Sequence, residues 1–316
     1  MKKIDDIISD AKTVGITGHL RPDGDCVGSC LGLYNYLVKN RPDLDVRVFL
    51  ETVEDKFNIL ENTDKVETKG YDGTVFDVFI CLDTASIDRL GINEEYFTNA
   101  TRTVCIDHHA SNKGYADYNW IIGGFSSASE VLYYLLDEDK VDKAVADALY
   151  MGIAHDSGVF RFQSTTSDTM RCAAKLIDCG VNVNEILETT YYRKTYNQMM
   201  ITSKIQSNAV LAANGRLIYG WCTLDMMDEY NVDKSELDAV VASIRNVDGV
   251  EVAMFIYQLD DKKCKISLRS RNEVDVSAIA VSFGGGGHVR ASGFEIEADI
   301  KDAIKMVVAR IEESLS

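Results

Sequence analysis

Residues 13–40 read TVGITGHLRPDGDCVGSCLGLYNYLVKN. The opening TVGITG (13–18) is an apolar, β-branched run that predicts a strand ending at His19. CVGSCLGLYNYLVKN (26–40) has helical spacing. Strand, polar turn and helix then recur. VRVFL (46–50), FDVFICLD (76–83) and RTVCID (102–107) read as buried strands. SSASEVLYYLLDE (126–138), VDKAVADALYMGIAHD (141–156) and SDTMRCAAKLIDCG (167–180) read as helices, the last with Gly180 at its C-cap. This alternation predicts an α/β domain: a mostly parallel sheet with helices on both faces.

The pattern changes after residue 185. EILETTYYRKTYNQMMITSKIQSNAV is polar, Tyr-rich and helical in spacing, a connector. RLIYGWCTL (216–224), VEVAMFIYQL (250–259) and KCKISLRS (263–270) are strand-like, with LDDKK a hairpin turn between the last two. SELDAVVASIRNV (235–247) and DVSAIAVSF (275–283) are helical, and DIKDAIKMVVARIEESL closes the chain as an amphipathic helix. The expected organisation is a domain at 1–185, a helical linker at 186–204, and a smaller α+β domain at 205–316.

Composition narrows the chemistry. A length of 316 residues suits two domains, and 46% hydrophobic residues suffice for two cores. Two prolines argue against long disordered stretches. No run of ~18 apolar residues is present, so no membrane span is expected. The start, MKKIDDIISDAK, lacks a signal-peptide apolar core. Eight cysteines without CxxC pairs read as reduced, buried thiols of a cytoplasmic protein rather than a zinc site. A formal charge of −17 opposes duplex or long nucleic acid as a partner. A small phosphorylated ligand or an oligonucleotide would need local attraction, from bound cations and a few arginines.

All five histidines fall in or beside Asp- and Gly-rich motifs. His19 precedes Asp23 and Asp25 at what would be the carboxyl edge of the sheet, where open α/β sheets bind ligands. The competing reading is a surface turn in which the two Asp cap the next helix. Asp83 ends another apolar strand; alone it is equally a helix cap. Asp107, His108 and His109 follow a third strand and form a poor core but a good ligand cluster. Asp156 can supply a further ligand, whereas His155 reads better as a local hydrogen-bonding residue. Imidazole with carboxylate is the donor set of a hard-to-borderline divalent cation. In the second domain, Gly284 to Gly287 before His288 can expose backbone N–H groups to phosphate, or be a flexible turn. Arg269 and Arg271, at i and i+2, would share a strand face and grip phosphate, or be a solvated edge.

In sequence order, HLRPDGDCVGS, CLDTAS, IDHHASN and HDSGVF resemble the four motifs of the DHH phosphoesterases, and RSRNEVDVSAIAVSFGGGGHVRASGF resembles their DHHA1 domain. Size and motif set look like the stand-alone nanoRNase type. That resemblance implies two divalent ions, manganese by family habit. His19, Asp23 and Asp83 would hold one; Asp25, Asp83, His108 and Asp156 the other, with Asp83 bridging. It further implies that His109 faces the phosphate, that Asp107 supports it from behind, and that Arg269, Arg271, Gly285, Gly286, Gly287 and His288 bind nucleotide, with the active site in the interdomain cleft. His155 departs from the small or hydroxyl residue usual before the Asp. The implied substrates are short RNA, linear dinucleotides such as pApA, and the nucleotide 3′,5′-bisphosphate 3′-phosphoadenosine 5′-phosphate; the implied assembly is a homodimer. Cyclic di-AMP hydrolysis, inorganic pyrophosphate hydrolysis and a non-catalytic nucleotide sensor are the alternatives. The GGGGH run speaks against the pyrophosphatase and the complete ligand set against the sensor.

Overall fold

The computed structural model describes residues 3–237 and 240–315, without the side chains of Ser235 and His288. The chain forms two compact units, residues 1–193 and 194–316.

The first unit holds a six-stranded parallel sheet: β1 (Thr13–Thr17), β2 (Asp45–Phe49), β3 (Val66–Glu67), β4 (Val78–Leu82), β5 (Thr103–Asp107) and β6 (Tyr118–Ile121). Their spatial order is β3-β2-β1-β4-β5-β6, with every pair parallel. The helices are α1 (Ile4–Ile7), α2 (Gly24–Asn40), α3 (Glu94–Asn99), α4 (Ala128–Leu135), α5 (Lys143–Asp156), α6 (Ser167–Asp178) and α7 (Val183–Leu187). A π-turn, Glu188–Tyr192, follows α7.

Alternate residues of β4 explain its unbroken apolar run. Val78, Ile80 and Leu82 pack with residues of α2, α4 and α5 on one face. Phe79 and Cys81 join Phe49, Phe76 and Tyr96 and Phe97 of α3 on the other. A central strand buried on both sides must be apolar throughout. Helices α2 and α5 cross closely because Gly28 faces the backbone of Gly152 and Ala148; an added Cβ would lie 2.5 Å from the Ala148 oxygen. Chain order reverses between β1 and β4, so the carboxyl ends of these two strands border the topological switch point where such sheets bind ligands.

The second unit contains α8 (Tyr196–Ser207), β7 (Val210–Ala212), β8 (Leu217–Cys222), α9 (Leu224–Tyr230), α10 (Val240–Ile244), β9 (Val252–Asp260), β10 (Lys263–Ser270), α11 (Val276–Ser282), β11 (Gly286–His288), β12 (Ala291–Glu297) and α12 (Ile300–Leu315). Its sheet runs β11-β12-β10-β9-β8-β7. Only β8 and β9 pair in parallel; the other pairs are antiparallel. One core gathers Val252, Met254 and Ile256 with α11 and α12. The opposite one gathers Ala253, Phe255 and Tyr257 with α10 and with Ile201 and Ile205 of α8.

The stretch expected as a linker at 186–204 is thus helical in both halves, and α8 is built into the second core. The helix expected over 126–138 is shorter. It starts where Ser127 accepts the Glu130 N–H and stops where Leu136 turns extended. The helix expected over 235–247 is a 3-10 turn, Lys234–Leu237, followed by α10, while residues 238–239 lie outside the described residues. Among the described residues no helix is long and apolar enough to cross a membrane.

Candidate active site

The loops that leave β1, β4 and β5 and the end of α5 gather one cluster of carboxylates and imidazoles. Beyond β1, His19 is buried and its Nδ1 lies 2.8 Å from the Leu20 carbonyl oxygen. A carbonyl only accepts, so Nδ1 carries a proton and Nε2 is the nitrogen turned toward the carboxylates. That Nε2 is 3.4 Å from Asp83 Oδ2 and 3.8 Å from Asp23 Oδ1. Asp23 is the N-cap of α2: its Oδ1 accepts the Asp25 N–H at 3.0 Å and the Cys26 N–H at 3.1 Å. Asp23 therefore caps α2 while its Oδ1 also faces the His19 ring.

Asp25, in the first turn of α2, is buried against the start of α4. Its two oxygens accept the Ala128 N–H at 2.6 Å and the Ser129 N–H at 3.0 Å, a helix N-terminus that favours negative charge. Asp83 directly follows β4 in the left-handed conformation (φ 53°), which Asp tolerates better than most residues. Its N–H still bonds the Ile106 carbonyl at 3.0 Å. Its oxygens diverge: Oδ2 faces His19, while Oδ1 lies 3.5 Å from His108 Nε2 and 3.7 Å from His109 Nδ1. His108 Nε2 also lies 3.2 Å from Asp156 Oδ2.

Donor atoms within 4.8 Å of one another fall into three groups: His19, Asp23 and Asp83; Asp25, His108 and Asp156; and Asp83, His108 and His109. Asp107, buried at the end of β5, sits behind them. It accepts His109 Nδ1–H at 2.7 Å, the His108 N–H at 2.9 Å and the Asn112 Nδ2–H at 2.7 Å.

Charge suits the cluster to a cation. Burial, then the charge of Asp83, raises the Asp25 carboxyl to about 7. Burial, with Asp25 and Asp83 adding, pushes Asp156 well up. Burial opposes ionisation of His108, yet Asp83 and Asp156 carry it up to about 10. Carboxylates that raise one another in this way lack a compensating charge. The all Asp and His donor set fits a divalent cation of hard-to-borderline character.

A cation must displace protons from Asp25 and His108. Its affinity is therefore expected to rise about a hundredfold per pH unit below about pH 7, where Asp25 titrates, and about tenfold per unit from there to about pH 10, where His108 does. Calorimetric titration in two buffers of different ionisation enthalpy measures this; pH-independent affinity would exclude the ligand set.

His155 stands apart from all three groups. Its Nε2 is 2.9 Å from Thr190 Oγ1, and its ring packs against those of Phe57 and Tyr191. Burial, then Lys56, lowers it to about 4, so it is neutral. A Cβ on Gly24 would overlap its ring, which explains the glycine between Asp23 and Asp25. Sequence reading assigns His155 a hydrogen-bonding role but not its contact with Gly24, and it does not single out Asn112 or the Ala128 and Ser129 amides. Asn112 stood inside the quoted DHHASN motif; the amides carry no side-chain signal.

The remaining expected residues belong to the second unit. Arg269 lies on β10, on the side opposite buried Leu268 and Ser270. Its Cα pairs with Ala291, which pairs with His288. Arg271 lies past the strand's end, and its Nη2 is 3.4 Å from the Arg245 and Val247 carbonyl oxygens, so the expected strand face is not continuous through both arginines. Gly286 to His288 form strand β11 on the edge of β12. The His288 side chain lies outside the described residues.

Residues 13–153 match the DHH family, N-terminal domain, and residues 214–315 match the DHHA1 domain. The chain belongs to the DHH family of phosphoesterases. It is 30% identical over 289 residues to the bifunctional oligoribonuclease and PAP phosphatase NrnA of Bacillus subtilis, covering 90% of this chain and 89% of the relative. With the protein of the same description from Thermus thermophilus it shares 29% identity over 95% of this chain and 90% of that one. The crystal structure of an exopolyphosphatase-related protein from Bacteroides fragilis has the same fold, with a TM-score of 0.90 at 23% identity over 97% of this chain and 93% of that one.

Proposed function

We propose that this chain is a two-metal, manganese-dependent phosphodiesterase that cuts short oligoribonucleotides and linear dinucleotides to mononucleotides. It also removes the 3′-phosphate of 3′-phosphoadenosine 5′-phosphate. The observation that carries this reading is Asp83, whose Oδ2 faces His19 and whose Oδ1 faces His108. One carboxylate turned to two ligand groups is what a pair of ions needs. The names of the Bacillus and Thermus relatives support the substrate class.

His19, Asp23 and Asp83 would hold one ion, and Asp25, Asp83, His108 and Asp156 the other. Bound there, the pair would supply Lewis-acid stabilisation of the phosphoryl oxygens and acidify a water for in-line attack. The chain's own residues do the rest. Asp107 accepts the Nδ1–H of His109 and fixes that ring, so that its other nitrogen serves the phosphate. Asn112 holds Asp107 in turn. Backbone N–H groups of α4 keep Asp25 ionisable in a buried place.

Arg269, Arg271, Gly285, Gly286, Gly287 and His288 are assigned to nucleotide binding. Structural packing already accounts for part of the glycine run. A Cβ on Gly285 would overlap Phe294 and Gly293, and Gly287 has a φ of 141° with a Cβ position only 2.5 Å from the Ala291 oxygen. Gly286 meets nothing within 4 Å and is exposed, so close approach of substrate is the reason left for a glycine there. Gly286→Ala is expected to leave the melting temperature within about 2 °C and to raise KM about tenfold, an order typical of losing one close contact. An unchanged KM would remove Gly286 from the binding surface.

The test of the class is a manganese-supported assay offering pApA, cyclic di-AMP, 3′-phosphoadenosine 5′-phosphate and pyrophosphate side by side. Release of AMP from pApA and from the bisphosphate, with pyrophosphate untouched, is expected. Turnover of pyrophosphate alone, or of the cyclic dinucleotide alone, would overturn the proposal.

A further inference from the structure

The arginines of the first unit divide into two sets. Arg41, Arg47, Arg102 and Arg171 each pair with a carboxylate. Arg21, Arg89, Arg161 and Arg193 are exposed, and among the described residues their guanidinium groups make no hydrogen bond or ion pair. In a chain with 50 acidic and 33 basic residues, these four guanidinium groups stay without a carboxylate although acidic side chains are in excess.

The positions of the unpaired four are not scattered. Arg21 lies between His19 and Asp23, in the left-handed conformation (φ 55°). The Arg89 carbonyl accepts the Leu20 N–H at 2.8 Å, which ties the loop after β4 to the loop that carries His19. Arg161 follows Asp156 by a turn in which Gly158, Val159 and Phe160 are all left-handed (φ 59°, 56° and 60°). A β-branched residue in that conformation is a genuine outlier, held where a site needs its neighbours aimed. Arg193 ends the π-turn whose Thr190 and Tyr191 touch His155. Arg21, Arg89 and Arg161 lie in segments that follow His19, Asp83 and Asp156, and Arg193 follows the π-turn packed on His155, the neighbour of Asp156.

Two aromatic rings accompany the second pair. Phe162 is 42% exposed and Tyr192 51% exposed. Tyr192 stacks edge-on against Tyr191, which in turn meets the His155 ring; both centroid distances are 5.3 Å. Arginines for phosphates with aromatic faces for bases are the parts of a single-strand binding track.

We infer that Arg21, Arg89, Arg161 and Arg193, with Phe162 and Tyr192, form a track around the acidic cluster that holds the phosphodiester backbone and unpaired bases of a single-stranded oligonucleotide on either side of the bond being cut. This inference rests on the phosphodiesterase reading above and adds to it a subsite in the DHH unit, separate from the glycine run of the second unit. It also resolves a conflict of charge. A chain of net charge −17 repels a polyanion at long range, and arginines beside the cluster supply the local attraction that a short strand needs.

The test measures Kd by anisotropy for a labelled 5′-phosphorylated pentaribonucleotide and dinucleotide, with EDTA present so that nothing is hydrolysed. Arg161→Gln/Arg193→Gln and Tyr192→Ala are compared with Arg171→Gln, which changes charge at a paired, outlying arginine. In the double variant and in Tyr192→Ala, the preference for the pentamer over the dimer is expected to fall about tenfold. The slope of log Kd against log salt for the pentamer should fall by about 1.4 in the double variant, since each of the two lost phosphate contacts accounts for about 0.7. Arg171→Gln should keep the wild-type preference. An unchanged preference and slope in the double variant, or an equal loss in Arg171→Gln, overturns the track. Failure of the phosphodiesterase reading looks different: the manganese-loaded wild type would release no mononucleotide from either length.

Discussion

Asp83→Asn is expected to abolish turnover, lowering kcat by at least about a thousandfold, equivalent to roughly 4 kcal/mol of transition-state stabilisation. The substitution keeps size and shape and removes one charge. Asp83 alone faces both sides of the cluster, with His19 on one oxygen and His108 on the other, so its loss weakens both cation positions at once. Unfolding is not the expected cause. In the metal-free protein the Asp83 charge is one of the terms that hold the Asp25 carboxyl up near 7. Its removal relieves repulsion from Asp25 and forfeits attraction to His108, opposing effects that should leave the metal-free variant melting close to the metal-free wild type. Calorimetric titration with Mn2+ and thermal melts, run beside the activity assay, separate these effects. Near-wild-type turnover would show that Asp83 bridges nothing.

Asp107→Asn is expected to cost about a hundredfold or more in kcat and about ten- to hundredfold in metal affinity, the usual scale for a group that orients ligands from behind. Asp107 is fully buried and spends its two oxygens on three donors: the His109 ring, the His108 backbone and the Asn112 amide. An asparagine has one acceptor oxygen, so its amide must confront at least one of those donors. Turning the amide toward His109 forces the ring into the other tautomer or out of place. Turning it toward Asn112 leaves two amide groups donor to donor, worth about 1–3 kcal/mol of stability. Asp107 ionises more readily than a free carboxyl: burial opposes this, but the hydrogen bond and charge of His109 outweigh it. Its stabilising contribution is present above about pH 4 and fades as pH falls below that. The melting difference between variant and wild type should therefore shrink in acid. A variant with unaltered kcat at pH 8 would show that the His109 ring needs no anchor.

The parts of the fold legible in sequence were those under strong burial. Strands β1, β2, β4, β5, β9 and β10 announce themselves because a sheet covered on both faces, or on one face in strict alternation, leaves little choice of residue. The edge strands did not. Tyr118–Ile121 is largely exposed and mixed in character, and Gly286–His288 has no apolar pattern at all; it is a strand because β12 offers it a partner. The helical stretch around 186–204 was visible as helix but not as two pieces belonging to different units. That depends on where Ile201 and Ile205 pack, which no local signal records.

The site shows the same division. Asp and His placed at strand ends could be read as ligands because a buried strand ending in charge needs a reason. His155 lies one residue from a ligand, yet its partners are Thr190, Phe57 and Tyr191; distance in sequence said nothing of this. The amides of Ala128 and Ser129 that hold Asp25 come from a helix more than a hundred residues away, and backbone donors leave no trace in composition. The four unpaired arginines of the first unit are likewise invisible until the other four of that unit have found their carboxylates.

The most direct measurement is anomalous diffraction at the manganese edge from crystals grown with Mn2+. Two peaks about 3.5–4 Å apart, with Asp83 between them, His19 and Asp23 at one and Asp25, His108 and Asp156 at the other, are the expected result. A single peak, or peaks bound elsewhere on the chain, would contradict the account.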